Sequence, residues 1–120
     1  MNSGPAQSDV EIRASIDELK KAEEDVRRVR EEGERWQQEN PPPTEPKAVQ
    51  RMVEVDEFKS RNEAWNKLYM ERGEQLQQAQ AQLHAAQKKL VSLLPQHIGY
   101  EYKGKRYQRE GNAFRVDNIG

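Results

Sequence analysis

The sequence predicts a mainly α fold: an antiparallel helical hairpin of coiled-coil type, with a long second helix and a small C-terminal three-stranded antiparallel β-meander. Three observations predict it. Apolar residues recur at heptad spacing in two long segments, a run of three prolines separates these segments, and the C-terminal residues alternate apolar with polar side chains. The composition agrees, because 33% hydrophobic and 34% charged residues suit a narrow apolar seam better than a wide core.

The first helix is predicted over residues 8–39, after a flexible lead of residues 1–7. Ser8 and Glu11 have the spacing of a capping box, in which each side chain bonds the backbone N–H of the other residue. Asn40 and the prolines that follow it end the helix, because proline lacks an N–H donor and clashes with the preceding turn. The seam positions are Ile12, Ser15, Leu19, Ala22, Val26, Val29, Gly33 and Trp36.

A Pro-rich turn is predicted over residues 40–46, and a second helix over residues 47–94. Thr44 is a candidate N-cap, and Pro46 falls in the first turn, where proline is tolerated. Asn62 occupies a seam position, where it either fixes the helix register or faces solvent. The other seam positions are Ala48, Val55, Phe58, Trp65, Tyr69, Arg72, Leu76, Ala79, Leu83, Ala86, Leu90 and Leu93. The tryptophans are expected to pack in the seam or to cap the hairpin beside the prolines.

Residues 95–120 are predicted to form the meander. Turns at Lys103-Gly104 and Gly111-Asn112 pair Tyr107 with Tyr100 on one side and with Val116 on the other. Both turns place the apolar side chains on a single face, and a sheet this small must pack on another element to be stable. The apolar face is predicted to hold Ile98, Tyr100, Tyr102, Tyr107, Phe114 and Val116.

The unequal lengths of the helices predict a surface that needs a partner. Folding the chain about residue 43 places Ile12 beside Leu76, so that the rest of the second helix has no partner in the first. Burying one leucine contributes about 1.5–3 kcal/mol, so either the meander covers the remaining leucines or another chain does, and we favour another chain. The candidate partner-binding residues are Leu76, Leu83, Leu90, Leu93 and Leu94.

No arrangement of residues predicts catalysis. The chain has no cysteine and only two histidines, His84 and His97, and no group of residues has metal-ligand spacing. We therefore expect no catalytic, metal-binding or cofactor-binding residue, no cofactor and no small-molecule substrate. No stretch is apolar for long enough to cross a bilayer and no signal peptide is visible, so the expected location is the cytoplasm or a virion.

The predicted function is that of a non-enzymatic structural, scaffolding or adaptor subunit. It assembles through the coiled-coil seam, with itself or with another protein, and docks through the meander. The alternative is a nucleic-acid-binding accessory protein, because residues 96–120 carry a net charge of +2 and interleave basic with aromatic side chains, which can hold phosphates and stack bases. The candidate contacts are Lys103, Lys105, Arg106, Arg109 and Arg115.

Overall fold

The computed structural model of the chain describes residues 4–45 and 52–119, with side chains described over 9–45 and 53–119. Two long helices pack against each other and a three-stranded antiparallel sheet follows, which confirms the predicted helical hairpin with a C-terminal meander. The elements are α1 (Gly4–Glu39), α2 (Met52–Leu93), β1 (Tyr100–Tyr102), β2 (Lys105–Glu110) and β3 (Ala113–Asn118).

The first helix ends where the sequence predicts, at Glu39, and the second ends at Leu93, one residue before its predicted end at residue 94. Helix α1 begins earlier than predicted, so Ser8 is a helical residue rather than the N-cap, and the lead predicted over residues 1–7 is helical from Gly4 onward. Pro5 fits the earlier start, because the N–H that proline lacks is one that the first turn leaves unbonded anyway. Residues 1–3 and the predicted start of the second helix at residue 47 lie outside the described residues.

The predicted seam is the least exposed face of both helices. The seam residues of α1 are buried from Ile12 to Val26 and half-buried from Val29 to Trp36. Those of α2 are buried or half-buried from Val55 to Leu93, except for the exposed Tyr69. Heptad spacing therefore identifies which side of each helix faces the protein interior.

The predicted register of the meander is confirmed. The first turn has φ values of 50° at Lys103 and 77° at Gly104, and a type I′ turn requires a positive φ at both central positions. The second turn has a positive φ at Gly111, 63°, which glycine adopts without steric cost. The confirmed pairs are Tyr100 with Tyr107, Tyr102 with Lys105, Tyr107 with Val116 and Arg109 with Phe114.

The chain divides into two compact units. Unit 1 comprises residues 1–25 and 80–120, and unit 2 comprises Val26–Ala79. The hydrophobic core lies in unit 1, where the helices and the sheet enclose it. Its buried members are Ile12, Ile16, Leu19, Leu90, Leu94 and Tyr107, and the half-buried side chains packed against them are Leu83, Ala86, Leu93, Tyr100, Tyr102 and Phe114.

The predicted pairing of the two helices is wrong. Folding the chain about residue 43 placed Ile12 beside Leu76, but Ile12 belongs to the same core cluster as Leu90 and Leu94. The heptad pattern cannot distinguish these registers, because sliding one helix by whole heptads brings seam against seam again. The chosen register came from assuming a tight turn at the prolines, whereas the described helices are separated by the residues between Glu39 and Met52.

Candidate functional site

The leucines predicted to bind a partner are largely covered by their own chain. Leu90 and Leu94 are only 0% and 3% exposed, and Leu83 and Leu93 are half-buried against the same core. Tyr107 completes that core, so the meander covers these leucines, which is the alternative that the sequence left open. The inference that the distal leucines lack apolar cover within the chain is therefore wrong.

A hydrogen-bonded group of three polar side chains attaches β1 to the start of α1. The Tyr100 hydroxyl donates to Asp9 Oδ1, and Arg13 Nε lies 3.2 Å from the Tyr100 hydroxyl and 3.1 Å from Asp9 Oδ2. Burial raises the pKa of Tyr100, and the hydrogen bond to Asp9 raises it further. The hydrogen bond to Tyr100, followed by the charge of Asp9, raises the pKa of Arg13.

A second polar group lies two turns further along α1. Asp17 Oδ2 accepts a hydrogen bond from the Tyr102 hydroxyl at 3.2 Å. Asp17 Oδ1 forms an ion pair with Lys103 Nζ, also at 3.2 Å. The hydrogen bond to Asp17 raises the pKa of Lys103. The i, i+4, i+8 spacing of Asp9, Arg13 and Asp17 puts them on one side of the helix, a signal for sheet docking that the sequence analysis missed.

Four of the five proposed nucleic-acid contacts are engaged within unit 1. Their partners are acidic side chains or, in one case, a backbone carbonyl, while the aromatic rings of the meander pack against the core instead of being open to bases. Of the rings on which bases would stack, Tyr107 is buried, and Tyr100, Tyr102 and Phe114 are half-buried against the core. The contacts are Lys103 with Asp17, Arg106 with Glu101 at 2.8 Å, Arg109 with Gly111 O at 3.1 Å, and Arg115 with Asp117 at 3.0 Å, while Lys105 is half-buried.

The apolar face of the meander is less uniform than predicted. Tyr100, Tyr102, Tyr107 and Phe114 belong to the core or pack against it. Two predicted members of that face, Ile98 and Val116, are 70% and 41% exposed. Ile98 lies in a bend before β1, and Val116 lies on the edge strand β3, where one side has no neighbouring strand among the described residues.

Unit 2 contains a stacked cluster of aromatic rings. The Trp65 ring centroid lies 5.7 Å from that of Trp36 and 5.1 Å from that of Tyr69. Trp65 Nε1 donates a 2.7 Å hydrogen bond to the carbonyl oxygen of Asn40, and the Arg72 guanidinium lies 5.6 Å from the Trp36 ring centre. The tryptophans therefore cap the hairpin where α1 ends, which is one of the two roles predicted for them.

An open groove of about 340 Å³ lies in unit 2 beside this aromatic cluster. Two of its lining residues, Gly33 and Gly73, are glycines in helix interiors. Apart from their chain neighbours and the nearby backbone of the same helix, no atom lies within 4 Å of the position that a Cβ would take at either glycine. Their missing side chains therefore widen the groove. Its other lining residues are Val29, Arg30, Glu34, Trp36, Gln37, Tyr69, Arg72 and Leu76.

Large apolar side chains of α2 within unit 2 remain exposed. Leu68 is 46% exposed and Met70 is 65% exposed, and the core cluster includes no residue from the described part of unit 2. The heptad pattern places Gly33 in the seam of α1 and predicts no role for Gly73. Because glycine inside a helix costs about 1 kcal/mol relative to alanine, two such residues were the available signal for this surface.

The described residues contain neither a candidate metal site nor a candidate membrane span. Over 4–45 and 52–119, no three His, Cys, Asp or Glu side chains are placed so that they could hold a metal ion. In the same ranges, neither helix has an apolar stretch long enough to span a membrane. No protein-family model, curated protein or solved structure matches the chain.

Proposed function

We propose that this protein is a non-enzymatic structural subunit that assembles with a second copy of itself through unit 2. The observation that carries the proposal is the open apolar groove lined by Gly33 and Gly73, whose lining also includes Tyr69 at 47% exposure. Exposed apolar surface that is concentrated in one place, with a polar rim, is typical of a protein interaction site.

The contrast between the two units supports association through unit 2. In unit 1 the sheet gives the helices a second layer, and the two layers enclose a core that contains Ile16 and Leu90 at 0% exposure. In the described part of unit 2 there are two helices and no sheet. Because helical folds gain stability by burying the apolar stripe of each helix against another layer, unit 2 is the part of the chain that gains most from a partner.

A second copy is the partner that best suits the rim of the groove. The rim carries both signs of charge: Arg30 and Arg72 are positive, and Glu34 is negative. A surface of mixed sign can complement itself across a two-fold axis, which is the commonest symmetry of soluble oligomers. Two hairpins joined in this way contain four helices, a common closed arrangement, and Gly33 and Gly73 allow close approach of a helix backbone.

The test is a comparison of solution mass, by light scattering over a concentration series, for the wild type, Gly33→Lys and Gly33→Ala. The space around Gly33 admits a Cβ and the groove beyond it is open, so lysine introduces bulk and charge into the groove. We expect Gly33→Lys to have a lower average mass than the wild type at equal concentration.

Gly33→Ala is the matched control. It leaves most of the groove open and favours the helix, so it should keep the wild-type mass. Far-UV circular dichroism checks that both variants remain helical. A wild type that is monomeric at every concentration overturns the proposal. This holds even if a different protein binds unit 2. Equal masses for the wild type and Gly33→Lys overturn it as well.

A further inference from the structure

We propose a second self-association surface, in which β3 pairs antiparallel with β3 of another copy about a two-fold axis at Val116. The two three-stranded sheets then join into one sheet of six strands. This surface lies in unit 1 and does not depend on the groove of unit 2. An edge strand with unpaired backbone groups is a template for a further strand.

The backbone hydrogen bonds of β3 alternate in direction, and this decides which residues are available. Ile119 N–H donates to the carbonyl oxygen of Gly104 at 3.0 Å, which fixes the odd-numbered residues as those that bond β2. The N–H and C=O groups of Phe114, Val116 and Asn118 therefore point away from β2. No strand pairs with this side of β3 among the described residues.

Several registers of β3 against β3 of the second copy would use the outward-facing N–H and C=O groups, and the charged side chains favour one of them. With Val116 opposite Val116 of the second copy, each Arg115 lies opposite Asp117 of the other strand. Shifting the second strand by two residues places Arg115 opposite Arg115 in one direction, or Asp117 opposite Asp117 in the other. Like charges directly opposite each other are destabilising and opposite charges are favourable, so only the register centred on Val116 is complementary.

The selected register also extends a charge pattern that already exists within one sheet. On the solvent face, Glu101 pairs with Arg106, and Arg106 pairs with Asp117. Adding Arg115 of the second copy beside Asp117 continues the alternation of negative and positive side chains across the joined sheet. On the opposite face, the two Val116 side chains, each 41% exposed, come into contact. Six backbone hydrogen bonds form, two at each of the three pairs that use outward-facing groups.

Val116→Pro tests the backbone contact. Proline removes the N–H that points outward and leaves the bonds to β2 in place, and edge strands tolerate proline on their free side. Each dimer loses two hydrogen bonds, so we expect the dissociation constant to rise about tenfold or more. Val116→Thr, which keeps the N–H and the branched side chain, is the control. Both are made in the Gly33→Lys background, so that contacts through the groove do not contribute.

A charge exchange tests the register. Arg115→Asp alone and Asp117→Arg alone each place like charges opposite each other and should weaken the dimer. The double variant with both changes restores complementarity and should restore the dimer. A mixture of the two single variants should form heterodimers, because one strand is then acidic and the other basic at both positions.

Sedimentation velocity over a concentration series measures these outcomes. The expected result is a Gly33→Lys protein that dimerises, is weakened by Val116→Pro and keeps its dimer with Val116→Thr. A Gly33→Lys protein that is monomeric throughout, or a Val116→Pro variant that dimerises as tightly as its control, overturns the proposal. If the proposal for unit 2 fails while this one holds, Gly33→Lys has no effect on mass but Val116→Pro still does.

Discussion

The hydroxyl of Tyr100 on β1 donates a hydrogen bond to Asp9 near the start of α1, across 91 positions of sequence. Arg13 contacts both groups, so the tyrosine hydroxyl connects an ion pair on the helix to the edge of the sheet. The arrangement is partly buried, which strengthens hydrogen bonds that involve charged groups. It is therefore a point at which the docking of the meander on α1 can be tested.

Tyr100→Phe should lower the free energy of unfolding by about 1 kcal/mol, because it removes this hydroxyl and leaves the ring in place. Tyr102→Phe is the matched control. Its hydroxyl bonds Asp17 at 3.2 Å in an exposed position, where such contacts contribute little. Urea unfolding followed by circular dichroism measures both changes. A loss for Tyr102→Phe equal to that for Tyr100→Phe contradicts the importance given to the Asp9 group.

The stability of unit 1 should fall as the pH rises above 10.0, the ordinary pKa of tyrosine. Burial raises the pKa of Tyr107, and the charges of Glu23 and Asp17 raise it further. Because the folded state keeps the proton that the unfolded state loses, the stabilisation is complete below the unfolded pKa and is lost as the pH rises through the folded one.

Tyr107→Phe should reduce this loss, although Tyr100, whose pKa is also raised, leaves part of it. The measurement is the urea midpoint between neutral and strongly alkaline pH. Tyr69→Phe, at an exposed position in unit 2, is the control for removing a tyrosine hydroxyl. If the urea midpoint falls equally with pH in the wild type and in Tyr107→Phe, the prediction is wrong.

Ser15→Ala should stabilise the protein by about 1–2 kcal/mol. Ser15 is fully buried and its hydroxyl oxygen has no hydrogen-bond partner among the described residues, so the folded state leaves a polar group unsatisfied. Alanine also has the higher helix propensity. The neighbouring exposed change Ala14→Ser measures propensity alone and should cost about 0.5 kcal/mol. A Ser15→Ala gain no larger than the Ala14→Ser loss shows that the hydroxyl is satisfied in solution.

Local rules predicted the sheet well. A two-residue turn with Gly104 and another with Gly111 each allow only one pairing that keeps the apolar side chains on one face, and both pairings are confirmed. Helix ends at Glu39 and Leu93 were predictable for the same reason, since the neighbouring prolines act locally. The start of α1 was not, because the Ser8 signal competes with an equally acceptable start at Pro5.

The helix register could not be predicted, and the candidate site depended on it. A seam repeated every seven residues is compatible with several alignments, and the sequence contains no strong local pair that selects one. Choosing the alignment with the shortest turn left Leu90 without a partner and suggested an assembly surface there. The actual pairing buries Leu90 and leaves the open apolar surface around Gly33 instead.

The register itself can be tested in solution through Glu18 and Lys89, whose Oε2 and Nζ atoms lie 3.1 Å apart. A carbodiimide, which joins a carboxylate to an amine without a spacer, should form an amide between them, and likewise between Asp17 and Lys103. Mass spectrometry of a tryptic digest identifies the joined peptides. A 1:1 mixture of isotope-labelled and unlabelled protein separates links within a chain from those between copies. The alignment about residue 43 instead predicts a link from Glu18 to Lys67, and finding that link within one chain contradicts the helix pairing described for unit 1.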